Sequence, residues 1–155
     1  MTSRRQFLVL ACGALTTGAE AQLTPNIAAL RKLALEDAMR KVLGASPVRT
    51  GRVKLDIPPL IENGNSVPLT VTVQSPMTAA DHVRAIHVFT EKNPQPNVIS
   101  AYLGPRAGRA SITTRARIAD TGTVVAIAQL SDGSFWSDSA QVVVTLSACL
   151  EDGLI

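Results

Sequence analysis

Aromatic side chains are scarce in this chain: one Trp, one Tyr and three Phe, 3% of the residues. Single-stranded nucleic acid and sugars are held by stacking on aromatic faces, so this scarcity argues against both as ligands. Charge is thin as well, at 17%, with a formal net charge of only +3. The Lys and Arg residues are scattered and form no basic run, which argues further against a nucleic-acid footprint. Histidine is limited to His82 and His87, and their separation is not that of a zinc site. The chain has no Gly-x-Ser-x-Gly elbow and no phosphate-cradling glycine loop. Cysteine occurs only at Cys12 and Cys149. There is no internal repeat and no low-complexity segment.

What is present is a chain of 155 residues, 46% hydrophobic, enough for one ordinary domain with a real core. It opens with Ser3-Arg4-Arg5-Gln6-Phe7-Leu8, a twin-arginine pattern. A modest apolar region runs from Phe7 to Leu15, and Ala19-Glu20-Ala21 forms a small-x-small cleavage site before Gln22. Residues 1–21 are therefore expected to be a twin-arginine signal peptide, and the mature protein a periplasmic one carried across the membrane folded. The apolar region is too short for a permanent anchor. A lipid-attachment site at Cys12 would leave hardly any apolar region ahead of it. Losing Arg4, Arg5 and Glu20 removes two positive charges and one negative, taking the net charge from +3 to +2.

Cys149 is then the one remaining cysteine. Disulfides are permitted in such a compartment, but a single cysteine cannot form an internal one. A leftover cysteine in an exported protein points to a reactive thiol or an intermolecular bond. Most single cysteines are buried and inert. Cys149 lies beyond the last strand-like run, where chains seldom reach a core. A thiol on such a tail can bond covalently to something outside the domain.

Between leader and tail the period of the apolar residues changes once. Thr24-Pro25 reads as a helix start, and Ile27, Leu30, Leu33/Ala34, Ala38 and Val42 recur at helical spacing up to a Gly44 cap and Pro47. From Arg49 onward the period is two. Strand-like runs occupy Val53–Ile57, Val67–Val73, Val83–Phe89, Val98–Leu103, Ser111–Ile118, Thr123–Leu130 and Phe135–Leu146, with turn signals between them. The Val98–Leu103 run reads as an edge strand and Thr123–Leu130 as a central one. About seven strands at this spacing predict an all-β fold, an antiparallel β-sandwich of immunoglobulin-like type after one amphipathic helix. The expected divisions are 1–21 leader, 22–48 helical segment, 49–146 sandwich and 147–155 tail bearing Cys149.

Few side chains suggest chemistry. His87, between Ile86 and Val88, reads as a structural histidine, and a Cys149–His87 thiol-enzyme pair has no supporting motif. Asp132 and Asp138 flank a hairpin and read as solvated turn carboxylates. Arg115 and Arg117 share one strand face and read as a solvated or interface face. No metal site and no cofactor are expected.

Several blocks give the mature chain a resemblance to the SoxY family, the sulfur-carrier subunits of the bacterial Sox thiosulfate-oxidising system. They are Glu62-Asn63-Gly64-Asn65-Ser66-Val67-Pro68, Ile86-His87-Val88-Phe89, Glu91-Lys92-Asn93-Pro94-Gln95-Pro96-Asn97, Thr114-Arg115-Ala116-Arg117 and Ser131-Asp132-Gly133-Ser134-Phe135-Trp136. The likeness runs from about Lys54 to Leu146, and the twin-arginine leader is similar too. It implies an immunoglobulin-like sandwich paired with a small β protein, SoxZ, which has no leader and would be exported with it. It implies a carrier and not an enzyme. Thiosulfate-derived sulfur would sit on a C-terminal cysteine while a c-type cytochrome and a hydrolase act on it.

The family's tail is Gly-Gly-Cys-Gly-Gly after a Val-x-Val-Thr-Ile strand. Here Val142-Val143-Val144-Thr145-Leu146 matches the strand, and Ser147-Ala148-Cys149-Leu150-Glu151 stands in the motif with Cys149 in register. All four glycines are replaced. Glycine gives an arm φ > 0 freedom and no bulk, so this arm is thicker and stiffer. Glu151 and Asp152 place negative charge near the sulfur, which disfavours the thiolate and repels thiosulfate. Two readings follow: a covalent sulfur carrier through Cys149, and a SoxY-like binding module that pairs with its partner and carries nothing.

Overall fold

The computed structural model describes residues 26–147. The first element, α1 (Ile27–Leu43), starts on Asn26, whose side chain accepts a hydrogen bond from the Ala29 amide at 3.3 Å. The cap is thus Asn26, and Thr24-Pro25, the expected start, lies outside the described residues. The helix stops at Gly44, where φ is +60° and the amide bonds back to the Arg40 carbonyl. A left-handed residue there favours glycine, and Pro47 blocks continuation.

Nine strands follow among the described residues: β1 (Val48–Thr50), β2 (Val53–Asp56), β3 (Leu60–Ile61), β4 (Val67–Val73), β5 (Val83–Thr90), β6 (Asn97–Tyr102), β7 (Ser111–Ala116), β8 (Gly122–Leu130) and β9 (Phe135–Val144). They form two sheets, β1-β9-β8-β5-β6 and β2-β4-β7, with β3 adding to β9. The seven expected strands are all present, β6 is an edge, and β8 lies between β9 and β5. The two additional strands, β1 and β3, are short and parallel to β9, and both pair along the edge of β9 that β8 leaves open.

The core lies between the sheets. Strand β4 alternates strictly, with Val67, Leu69, Val71 and Val73 inside and Pro68 and Thr72 outside. Facing it are Ile86, Val88, Val124, Ala126, Ala128, Val142 and Val144 from the larger sheet. Strand β5 is buried on both faces, which explains its unbroken apolar run. Its outer residue Phe89, with Ile127 and Phe135, forms a second cluster covered by Leu35, Ala38, Met39, Val42 and Leu43 of α1.

That contact corrects the expected helix stripe. Ala38 and Val42 face the sheet as read, but Leu35 and Met39 complete the stripe, while Ile27, Leu30 and Leu33 are each more than half exposed. One residue along a helix turns the side chain by about 100°, so a stripe through Ala34 and one through Leu35 face different directions. Both satisfy helical spacing, and only contact with the sheet selects one.

Candidate functional site at the root of the C-terminal tail

Cys149 lies outside the described residues, and the structure describes the chain up to Ser147. What can be built from the residues upward is the mount on which the tail begins. Strand β9 ends at Val144 and the chain bends at Thr145 and Leu146, and this end is held from both sides. On one side the Val143 amide donates to the Pro59 carbonyl at 2.8 Å and the Thr145 amide to the Ile61 carbonyl at 2.9 Å. Thr145 Oγ1 adds contacts with the Ile61 and Glu62 carbonyls at 3.4 and 3.2 Å. The Leu146 amide donates to the Glu62 carbonyl, and its carbonyl receives the Gly64 amide at 2.9 Å.

The Glu62-Asn63-Gly64-Asn65 turn is therefore the clamp for the end of β9. It holds its own shape because Asn63 Oδ1 accepts the Asn65 amide at 2.9 Å. The Gly64 carbonyl is in turn the acceptor for the Ile118 amide at 2.8 Å, which ties the clamp to the chain after β7. On the opposite side the ladder with β8 ends at Gly122↔Val142. There Thr121 substitutes for backbone: its Oγ1 accepts the Val144 amide at 2.9 Å and donates to the Val144 carbonyl at 3.4 Å. Leu146 is the last residue fixed by these bonds. Leu60, Val143 and Leu146 are each more than half exposed at this root, and Leu60 and Val143 are cross-strand neighbours.

The other residues singled out by sequence lie elsewhere. His87 is 5% exposed on the helix-covered face of β5, with Nδ1 2.9 Å from Ser100 Oγ and its ring against Phe89 and Tyr102. Burial holds its pKa below the usual imidazole value. It pairs with Ile127, which pairs with Ser137, so Leu146 is nine residues and two strands away. That separation is roughly 30 Å. Three residues of extended chain beyond Leu146 span at most about 11 Å. A Cys149–His87 pair within one molecule is out of reach, and His87 is the structural histidine its setting predicts. His82 bonds to the Thr78 carbonyl through Nδ1 at 3.1 Å. Arg115 contacts the Ser66 carbonyl and hydroxyl, at 3.5 and 3.3 Å, and Arg117 lies just past the end of β7.

Asp132 is the turn carboxylate expected of it. It accepts the Ser134 amide at 2.8 Å, and Gly133 takes φ +82° beside it. Its pKa is lowered chiefly by the hydrogen bonds from Ser134, with smaller help from Arg52 and Arg49. Asp138 corrects the reading. It is half-buried, and its Oδ2 accepts the Leu55 amide at 2.8 Å, joining β9 to the opposite sheet. Sequence reasoning also missed Asn93 and Thr121. Asn93 is buried in an irregular loop, where it donates to the Arg117 carbonyl and accepts the Ala119 amide, both at 2.8 Å. Among the described residues no group of three or more His, Cys, Asp or Glu is placed to hold a metal ion. No described helix is long and apolar enough to cross a membrane.

The family model described as "Sulfur oxidation protein SoxY" matches residues 39–149, from the second half of α1 to Cys149 itself. The solved structure of the sulfur carrier protein SoxY from Chlorobium limicola f thiosulfatophilum is 29% identical, with a TM-score of 0.61 over 74% of this chain and 98% of that one. A neelaredoxin-type superoxide reductase from Ignicoccus hospitalis is 16% identical, with a TM-score of 0.54 over 63% of this chain and 94% of its own. A putative superoxide reductase from Thermotoga maritima is 21% identical, with a TM-score of 0.54 over 63% and 93%. At such identities the last two show a shared sandwich and nothing of function. No curated protein matches the chain. The family match spans most of the sequence and takes in the clamp, β9 and the tail position of the cysteine: the chain belongs to the SoxY family.

Proposed function

We propose that this protein is a periplasmic sulfur carrier that holds thiosulfate-derived sulfur on Cys149, works as a heterodimer with a SoxZ-like partner, and leaves the cytoplasm through the twin-arginine route. The observation that carries the reading is the extent of the family match, which ends on Cys149. The clamp supports it. A carrier needs a fixed base and a projecting thiol, and two residues, Ser147 and Ala148, separate the last clamped residue, Leu146, from Cys149.

The chemistry balances as follows. The Cys149 thiol loses its proton, and an S–S bond forms between Sγ and the outer sulfur of thiosulfate. Two electrons pass to a c-type cytochrome. A hydrolase then adds water across the S–SO₃ bond, releasing sulfate and leaving a persulfide on Cys149. The carrier contributes the sulfur anchor and its presentation; oxidation and hydrolysis belong to the partner enzymes.

Intact mass of the protein isolated from the periplasm of thiosulfate-fed cells tests this directly. The expected result is an adduct that a thiol reductant removes and that is missing in Cys149→Ser. An unmodified mass under those conditions overturns it. The replacement of the tail glycines by Ser147, Ala148, Leu150 and Glu151 favours a second reading, a SoxY-like interaction module that carries nothing. In that case the partner is retained while Cys149→Ser leaves thiosulfate-dependent growth unchanged.

A further inference from the structure

At the end of β9 remote from the tail, the sandwich rim carries the chain's one tryptophan with two arginines around it. Arg49 of β1 is the cross-strand partner of Trp136. Its guanidinium carbon lies 5.8 Å from the ring centroid, and that of Arg52 lies 5.2 Å from it. The two cations are therefore at most about 11 Å apart. Like charges held so close repel each other unless something negative sits with them.

The one carboxylate that acts on both is Asp132, whose pKa they help to lower, so a single negative charge faces two positive ones. Among the described residues neither guanidinium makes an ion pair or donates a side-chain hydrogen bond; the arginines that do are Arg40 and Arg115. Arg52 is half-buried as a residue, and its guanidinium has no side-chain acceptor among the described residues. The carboxylates of this end of β9 are oriented by backbone amides and not by the arginines. Asp132 accepts the Ser134 amide, and the two oxygens of Asp138 accept the Leu55 and Ser139 amides. Trp136 itself is held, its Nε1 donating to Ser134 Oγ at 3.0 Å. Stacking on this fixed indole restricts both arginine side chains in advance, which lowers the ordering cost of a ligand.

A cleft of about 290 Å³ opens beside them, lined by Ser46, Pro47, Arg49, Asp132, Gly133 and Ser134. Arg49 and the Asp132 carboxylate stand on its wall, and Arg52, over the same indole as Arg49, adds a second positive charge nearby. Serine hydroxyls and guanidinium forks suit a ligand with several oxygens on one small centre. We propose that this rim is a binding site for a small tetrahedral oxyanion of the sulfate class, separate from the cysteine tail. The inference stands on Trp136, Arg49 and Arg52 and does not rest on the carrier reading.

Trp136 is the sole tryptophan, so its emission reports on this place alone. Sodium sulfate and sodium thiosulfate are titrated into the full chain, with sodium chloride at matched ionic strength as reference. Expected is a saturable change in emission for the oxyanions only. Arg49→Gln and Arg52→Gln, each checked for folding by circular dichroism, weaken it about ten-fold, the usual worth of a charged hydrogen bond. Arg115→Gln, on the smaller sheet, leaves it unchanged. On the unaltered protein, NMR of the arginine Nε–H groups is an independent probe, with Arg49 and Arg52 expected to shift on sulfate addition. A response shared by chloride, one that never saturates, or one that survives both substitutions overturns the proposal, as do unmoved Nε–H signals.

Discussion

His87 is a buried imidazole on β5 beside Phe89 and Tyr102, with Ser100 as its hydrogen-bond partner. Burial favours its neutral form, so its folded pKa lies below the 6.5 of the unfolded chain. The unfolded state then binds the proton more readily, and stability is full above pH 6.5 and declines as pH falls below it towards the folded value. Asp132 has the opposite sign of origin: a depressed carboxylate, whose contribution fades only below its ordinary value of 3.8. The two windows are separate. Urea midpoints at pH 8 and pH 5 are expected to differ in the parent and to converge in His87→Gln; an equal pH dependence in both would show that His87 is not the source. The burial of His87 was legible in its apolar neighbours. The roles of Asp138, Thr121 and Asn93 were not. Each bonds to backbone far away in sequence, Asp138 to Leu55 and Thr121 to Val144, and no local pattern marks a polar residue that reaches across the fold.

Strands were legible where one side chain in two had to be buried. Strand β4 shows this, with Val67, Leu69, Val71 and Val73 alternating against polar residues. Strands β1 and β3 were not legible. They have three and two residues, β1 is exposed throughout, and both exist because the edge of β9 offers hydrogen bonds to whatever runs beside it. The turn at Glu62–Asn65 was visible as a turn, but its task of gripping Thr145 and Leu146 emerges only in three dimensions. Thr121 is the test of that grip. Thr121→Val keeps the shape and leaves the Val144 amide without its acceptor, at a cost of about 1–2 kcal/mol. Amide exchange at Val144, Thr145 and Leu146 should accelerate more than the global stability change accounts for. Uniform acceleration across the whole domain would mean that Thr121 supports the fold in general and not the tail root.

At the scale of the molecule the helix and the sandwich are unequal. The sandwich core is built from both sheets, whereas α1 has no fully buried residue and packs on the small cluster of Phe89, Ile127 and Phe135. The helix should therefore detach without unfolding the rest. Met39→Asp places a charge in that contact and should abolish exchange protection in Ile27–Leu43, with a loss on the order of 1–3 kcal/mol. The β2-β4-β7 ladder should stay protected; its loss together with the helix would show one cooperative unit instead. The docking face of the helix was beyond the sequence for the same reason: Ile27, Leu30 and Ala34 satisfy the helical period as well as Leu35, Met39 and Val42 do.

Strand β9 is the last strand of the sheet and also the one that the earliest strands need. Val48 pairs with Phe135 and Leu60 with Val143, contacts that span 87 and 83 residues from the differences in their numbers. Neither β1 nor β3 has another partner. During synthesis these segments must wait, unpaired, until nearly the whole domain has emerged, and the closing step is a long-range one. The grip on the tail root is made in that same step, because β3 and the Glu62–Asn65 turn are its other half. A chain in which the tail is correctly mounted is therefore one whose sandwich has already closed, so the mount doubles as a record of completed folding.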